Sequence, residues 1–148
     1  MTTGPWPYVT STDTSSAQLA ADAGVPASSV RETILVARTF PIRVAGESGP
    51  LPGELTWAEV GVEPEITTVT KKVRRVGKWD AQQVRHAVWL NEPCSLVVTF
   101  VDYVFPECKN RTAQLDPEVL SWVRGLSENE VGVPLLGFST GPDAMVWL

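Results

Sequence analysis

Leu96-Val97-Val98-Thr99-Phe100-Val101-Asp102-Tyr103-Val104 is the stretch on which the fold turns. It is rich in β-branched and aromatic residues and too short for a buried helix, so it reads as a strand. Working outward, Asp80 caps a helix over Ala81–Leu90, where Val84, Ala87, Val88 and Leu90 fall near helical spacing. Thr33–Phe40 has the composition of a second buried strand. On the other side, Asp116 followed by Pro117 starts a helix that runs to about Leu126 and buries Leu120 and Val123. Leu135–Ser139 and Met145–Leu148 read as short closing strands, and Ser16–Ala23 as a short helix stopped by Gly24, with Pro26 beyond. Ser28 or Ser29 could cap another turn, and Thr2–Ser16 reads as a loop. Pro41, Gly46, Gly49, Pro50, Pro52 and Gly53 make Pro41–Gly61 a loop-dominated excursion. Strands and helices alternate, so the sequence predicts an α/β fold, a sheet with packed helices and long loops, in one domain over residues 1–148. No internal repeat or low-complexity tract is visible.

The chain has 148 residues, 43% hydrophobic and 20% charged, enough for one core and too apolar for a disordered chain. Its longest uncharged apolar run is far short of the roughly 20 residues of a membrane helix. No charged start followed by an apolar stretch opens it, so no signal peptide is expected. Two cysteines, Cys94 and Cys108, make neither a disulfide framework nor a metal site, and a cytoplasmic protein is the default. A net charge of −5 argues against a general nucleic-acid binder. Yet Lys71, Lys72, Arg74, Arg75 and Lys78 crowd into eight positions, after an acidic stretch with Glu54, Glu59, Glu63 and Glu65. Such a patch on an acidic protein suits a local anion site.

Three constellations could carry chemistry. Tyr8-Val9-Thr10-Ser11-Thr12 is a hydroxyl cluster leading into a helix, which suits a phosphate or simple capping. Thr67-Thr68-Val69-Thr70-Lys71-Lys72-Val73-Arg74-Arg75 could grip a carboxylate or phosphate, or form a solvated face. Ser139-Thr140-Gly141-Pro142-Asp143 ends a strand in a sharp turn, where α/β sheets collect ligands, although an ordinary turn also accounts for it. His86, the one histidine, reads as a surface or packing residue, and the six tryptophans as core and interface fillers. No triphosphate loop, dinucleotide fingerprint, metal-ligand set, acid–base pair or nucleophile with its base is evident, so no catalytic residue is assigned.

In order, these segments resemble the C-terminal part of adenylosuccinate synthetase. Gly4-Pro5-Trp6-Pro7-Tyr8-Val9-Thr10-Ser11 is similar to the family's G-x-x-P-Y-V-T-S. Arg38-Thr39-Phe40-Pro41-Ile42-Arg43-Val44 with Gly49-Pro50-Leu51-Pro52-Gly53-Glu54-Leu55 resembles its K-x-x-x-T-R-V-G…G-P-x-P-x-E-L run. Thr70 to Asp80 resembles T-G-R-x-R-R-x-G-W-x-D. Val98-Thr99-Phe100-Val101-Asp102 stands where the family has L-T-K-L-D, and Val133-Pro134…Ser139-Thr140-Gly141-Pro142-Asp143 resembles G-V-P…S-x-G-P.

The resemblance implies a ligase of purine biosynthesis that joins aspartate to IMP with GTP. Thr10 and Ser11 would bind the 5′-phosphate of the monophosphate, with the Val44 backbone facing its ribose. Thr70, Lys72, Arg74 and Arg75 would belong to the loop that closes on aspartate and the nucleotides. Phe100, Asp102, Ser139, Gly141 and Pro142 would line the purine pocket of the triphosphate. Lys72 stands where the family has Arg, which weakens a two-pronged grip. Phe100 replaces the family's Lys, as in the phage branch that makes 2-aminoadenylosuccinate from dGMP, and the chain resembles that branch more than the cellular enzyme. ATP or dATP would then replace GTP. The family's phosphate loop, catalytic Asp and His and Mg²⁺ site have no counterpart here, so the chain is not expected to act or bind cofactor alone. Implied partners are purine nucleotides, aspartate, a separate chain carrying the phosphate loop or a host synthetase, and a second copy; nucleic acid and membrane are not expected. Two alternatives are a non-catalytic purine-nucleotide-binding or regulatory module and a decaying remnant.

Overall fold

The computed structural model describes residues 14–148. The loop and hydroxyl cluster expected before residue 14, with Trp6, Thr10 and Ser11, lie outside these residues. Four strands form the main sheet: β1 (Ile34–Arg38), β5 (Ser95–Thr99), β6 (Leu135–Gly141) and β7 (Ala144–Trp147), in the order β1-β5-β6-β7. β1, β5 and β6 run parallel, and β7 returns antiparallel to β6. Parallel neighbours need crossovers, and α3 (Ala81–Asn91) and α4 (Pro117–Arg124) lie in them. The α/β expectation is met.

The caps fall where the sequence puts them. Asp80 accepts from Gln82 N and Gln83 N, and Asp116 accepts from Glu118 N with Pro117 opening α4. α1 (Ser16–Asp22) is capped by Ser15 and ends before Gly24, whose φ is +67°. Its Ser16 N–H donates to Asn91 Oδ1 at 2.8 Å, which ties α1 to the end of α3. The turn expected there is a short 3₁₀ helix, Ala27–Ser29, but neither Ser28 nor Ser29 caps it: both lie within it, and its N-cap is Pro26, which makes no side-chain cap.

Several expectations need correction. The central strand stops at Thr99 instead of reaching Val104, because Phe100 takes a left-handed backbone (φ 63°, ψ 36°) and Val101–Tyr103 coil into a 3₁₀ turn. β1 is an edge strand, not a buried one, and Ile34 and Val36 point into solvent. Pro41–Gly61 is more than a loop. It holds β2 (Ile42–Arg43), β3 (Glu54–Leu55) and α2 (Trp57–Val60), and β2 and β3 flank β4 (Arg75–Gly77) in a small antiparallel sheet. Helix α4 buries Val119 and Val123, with Leu120 only packed at the margin, and continues as a π-helical turn, Gly125–Val131, past the expected end at Leu126. Among the tryptophans, Trp57 is buried and Trp79 and Trp122 pack on the core, whereas Trp89 and Trp147 are exposed.

Two apolar clusters hold these layers. The larger joins Leu96, Val98 and Phe138 of the sheet to Val119, Val123 and Leu126. The smaller joins Trp57, Val60 and Val76, with Phe40 and Tyr103 packed against it. A clasp closes the small sheet. Arg75 donates through Nε and Nη2 to the two Glu54 oxygens, each at 2.6 Å, and through Nη1 to Ser48 Oγ at 3.0 Å and Gly49 O at 2.8 Å.

Candidate functional site

The C-terminal ends of β1, β5 and β6 meet at one margin of the main sheet, since Arg38 pairs with Thr99 and Val98 with Phe138. Ligands in open α/β sheets gather at this margin. Here the chain turns sharply at Phe100. Left-handed backbone is costly for a bulky side chain, by roughly 1–2 kcal/mol, and local bonds hold it. Phe100 N donates to Ser139 Oγ at 3.1 Å, and Thr39 Oγ1 donates to Phe100 O at 2.8 Å.

This turn brings Phe100, Asp102, Ser139 and Gly141 to the same end of the sheet. Asp102 is buried, and burial pushes its carboxyl above the usual range, opposed by its own backbone N–H and by Lys109. Thr140 Oγ1 donates to Arg111 O at 2.6 Å and Asn110 N donates to Thr140 O at 2.8 Å, so a loop folds over the end of β6. Gly141 lies so close to Asn110 that a methyl group there would overlap Asn110 Oδ1. Pro142 is exposed in the two-residue turn that leads to β7. Beside the loop, a cavity of about 250 Å³ is lined in part by Cys108, Arg111, Leu115 and Val119, and no candidate site residue lines it.

The Thr- and Arg-rich segment forms a hairpin. Ile66 bridges Val73, Thr67 N donates to Lys72 O at 2.9 Å, and Lys72 N donates to Thr67 Oγ1 at 3.0 Å. Thr67 and Thr70 share a hydroxyl contact of 2.6 Å, and Val69 at the tip is 88% exposed. Among the described residues, the Lys71, Lys72 and Arg74 side chains have no carboxylate partner. Arg75 differs: its donors are taken by Glu54, Ser48 and Gly49. Val44 lies past the end of β2, and its carbonyl accepts from Ser48 Oγ at 2.7 Å.

Between margin and hairpin stands a cluster to which the sequence motifs assign no role. The Arg38 guanidinium carbon lies 3.9 Å from the Phe100 ring centroid, and Arg38 pairs with Glu65. Tyr103 donates to Glu65 Oε1 at 3.3 Å and meets Phe100 edge-on, with centroids 5.0 Å apart. Burial first, then the Glu65 charge and hydrogen bond, push the Tyr103 phenol up, while Arg38 opposes. One signal existed in the sequence, a lone Arg38 closing an apolar strand; Glu65 carried none.

His86 stacks with Trp89 at 5.9 Å between centroids, a surface arrangement. Cys94 and Cys108 are both free thiols. Among the described residues no helix is long and apolar enough to cross a membrane, and no group of three or more His, Cys, Asp or Glu could hold a metal ion.

The sequence model of adenylosuccinate synthetase matches residues 1–113. The chain belongs to the adenylosuccinate synthetase family. It is 38% identical over 145 residues to the adenylosuccinate synthetase of Methanosphaera stadtmanae, covering 95% of this chain and 41% of that protein. It is 43% identical over 104 residues to the N6-succino-2-amino-2'-deoxyadenylate synthase of Vibrio phage phiVC8, covering 68% and 30%. Among solved structures, the cyanophage S-2L succinoaminodeoxyadenylate synthetase (PurZ), bound to dGMP and dATP, superposes with a TM-score of 0.71 and 31% identity over 94% of this chain and 39% of its own. The fully ligated Plasmodium falciparum adenylosuccinate synthetase shares the fold, with a TM-score of 0.80 at 17% identity, over 98% of this chain and 46% of its own. The chain thus spans less than half the length of these relatives.

Proposed function

We propose that residues 1–148 form the C-terminal, purine- and aspartate-binding part of an adenylosuccinate or 2-aminoadenylosuccinate synthetase, a ligase that joins aspartate to IMP or dGMP with hydrolysis of a nucleoside triphosphate. One observation carries this reading: the Phe100 turn gathers Phe100, Asp102, Ser139 and Gly141 at the carboxyl ends of the parallel strands.

In this reading an ionised Asp102 accepts from the exocyclic amino group of the triphosphate's purine. Phe100 offers an apolar ring where a lysine would favour guanine, so ATP or dATP is the donor. Ser139, Gly141 and Pro142 shape the rim. Thr70, Lys72 and Arg74 close on the aspartate carboxylates, and Arg75 acts from behind by clasping the small sheet beneath them. Thr10 and Ser11 take the monophosphate and the Val44 backbone its ribose.

Phosphoryl transfer needs positioning and charge around the γ-phosphate. The described residues offer no donor set for Mg²⁺, so they do not fit the ion and no step is assigned to it. Those parts belong to the rest of the enzyme, in the same polypeptide or in a separate half chain or host synthetase. A homodimer is part of the proposal, as is a cytoplasmic setting.

A second reading is a nucleotide-binding module without catalysis, which the gathering of Phe100, Asp102, Ser139 and Gly141 supports equally. Calorimetric titration with dATP, ATP, GTP, dGMP and IMP tests both. Adenine triphosphates should bind better than GTP, and Phe100→Lys should shift that preference towards guanine. Ligation of aspartate once a phosphate-loop-bearing part is added supports the enzyme, while nucleotide binding without ligation supports the module. Failure to bind any of the five nucleotides, both alone and with that part added, refutes both.

A further inference from the structure

We propose that Arg38 and Glu65 are positioning residues that transmit occupancy of the purine site to the Thr67–Lys72 hairpin. This inference rests on the reading of the site given above. Coupling between two sites needs a continuous set of contacts and an element with two arrangements.

The contacts form a closed circuit. Phe100 touches Arg38 face-on and Tyr103 edge-on, and both converge on the Glu65 carboxylate. Arg38 reaches it through two nitrogens, Nη1 to Oε2 at 3.4 Å and Nη2 to Oε1. The backbone of Glu65 is in turn the root of the hairpin: its carbonyl accepts from Arg74 N at 2.8 Å, directly beside the Ile66–Val73 bridge. A base settling against the Phe100 ring therefore displaces or stiffens the guanidinium, and the carboxylate at the hairpin root follows. The Arg38 and Glu65 side chains are only 18% and 21% exposed, so solvent and salt screen this pair less than a surface one.

The arrangement is not tuned for stability. Arg38 Nε is buried with no hydrogen-bond partner, an unmet donor that native interiors seldom keep. The hairpin, for its part, is held by a few backbone and hydroxyl contacts around an exposed tip, the kind of segment that opens locally at small cost.

Hydrogen exchange of peptides covering residues 66–74, with and without saturating dATP, tests the proposal. Wild type should bind dATP and show several-fold slower exchange in these peptides. Glu65→Gln should still bind dATP, with the hairpin rate no longer changed by it. Tyr103→Phe, which removes a single hydroxyl and should leave folding intact, should lose part of the protection. Full protection retained in both variants overturns the proposal, as does wild-type binding with no change in the hairpin. A wild type that does not bind dATP, either alone or with a phosphate-loop-bearing part added, overturns the purine-site reading itself, and this inference with it.

Discussion

Thr39 reaches across to β5 twice: its N–H donates to Thr99 O at 3.0 Å and its hydroxyl to Phe100 O at 2.8 Å. One buried residue at the end of β1 thus holds both carbonyls that flank the sharp turn. Thr39→Val should cost about 1 kcal/mol in denaturant unfolding, because the half-buried Phe100 carbonyl loses its donor. Thr39→Ser should retain most of that stability. A loss in Thr39→Ser with none in Thr39→Val would show that the methyl group, not the hydroxyl, does the holding.

Two glycines near the site should respond differently to a methyl group. At Gly137 it would meet Val146 O at 2.5 Å and the Trp147 ring at 2.9 Å, and a paired strand backbone cannot step aside. Gly137→Ala should therefore cost about 1–3 kcal/mol, the scale of overpacking. At Gly141 the obstacle is the tip of the exposed Asn110 side chain, which can swing away, so Gly141→Ala should lower Tm much less. The two melting curves decide between these cases.

Asp102 gives a pH signature. Folding raises its pKa above the ordinary 3.8, so its contribution to stability is full below that value and is lost as pH rises through the elevated folded value. Asp102→Asn should then raise Tm at pH 7, with the gain shrinking towards pH 4, while weakening purine binding. A gain independent of pH would mean that charge burial is not its origin.

The thiols separate by burial. Cys94 is exposed, whereas Cys108 is 2% exposed, with its pKa pushed up to about 11 by burial and by the charges of Asp102 and Glu107. Iodoacetamide at pH 8 should label Cys94 alone in the native protein and both thiols in urea, as read by intact mass. Native labelling of Cys108 would reveal opening of the layer between β6 and α4.

Neighbouring arginines should also part company. Arg74→Ala should weaken binding of an anionic ligand by about 1–3 kcal/mol, the scale of a charge-assisted hydrogen bond, and leave Tm nearly unchanged. Arg75→Ala should instead lower Tm, because it frees Glu54, Ser48 and Gly49 together. The reverse pattern in titration and melting would exchange their roles.

Local signals were legible in the sequence wherever one residue settles one backbone feature. Asp80, Asp116 with Pro117 and Gly24 mark helix ends without help from the rest of the chain. The small sheet was not legible, since two- and three-residue strands are too short to show a period, and their pairing depends on Arg75 finding Glu54 across 21 positions. Nor was the break at Phe100, for an aromatic residue carries no mark of left-handed backbone; Ser139 and Thr39, distant in sequence, impose it. The candidate purine residues were read from motif order, but the Arg38–Glu65 link needed the register of β1 and β5.

The Arg75 clasp makes the two sheets answer to different solution variables. The main sheet is held by aliphatic burial, which added salt does not weaken, whereas the small sheet adds to its own apolar cluster a partly exposed ion pair that salt weakens. Ionic strength is thus a selective lever on this fold: raising it weakens the Arg75–Glu54 clasp, while the Trp57, Val60 and Val76 cluster and the parallel strands keep their apolar support.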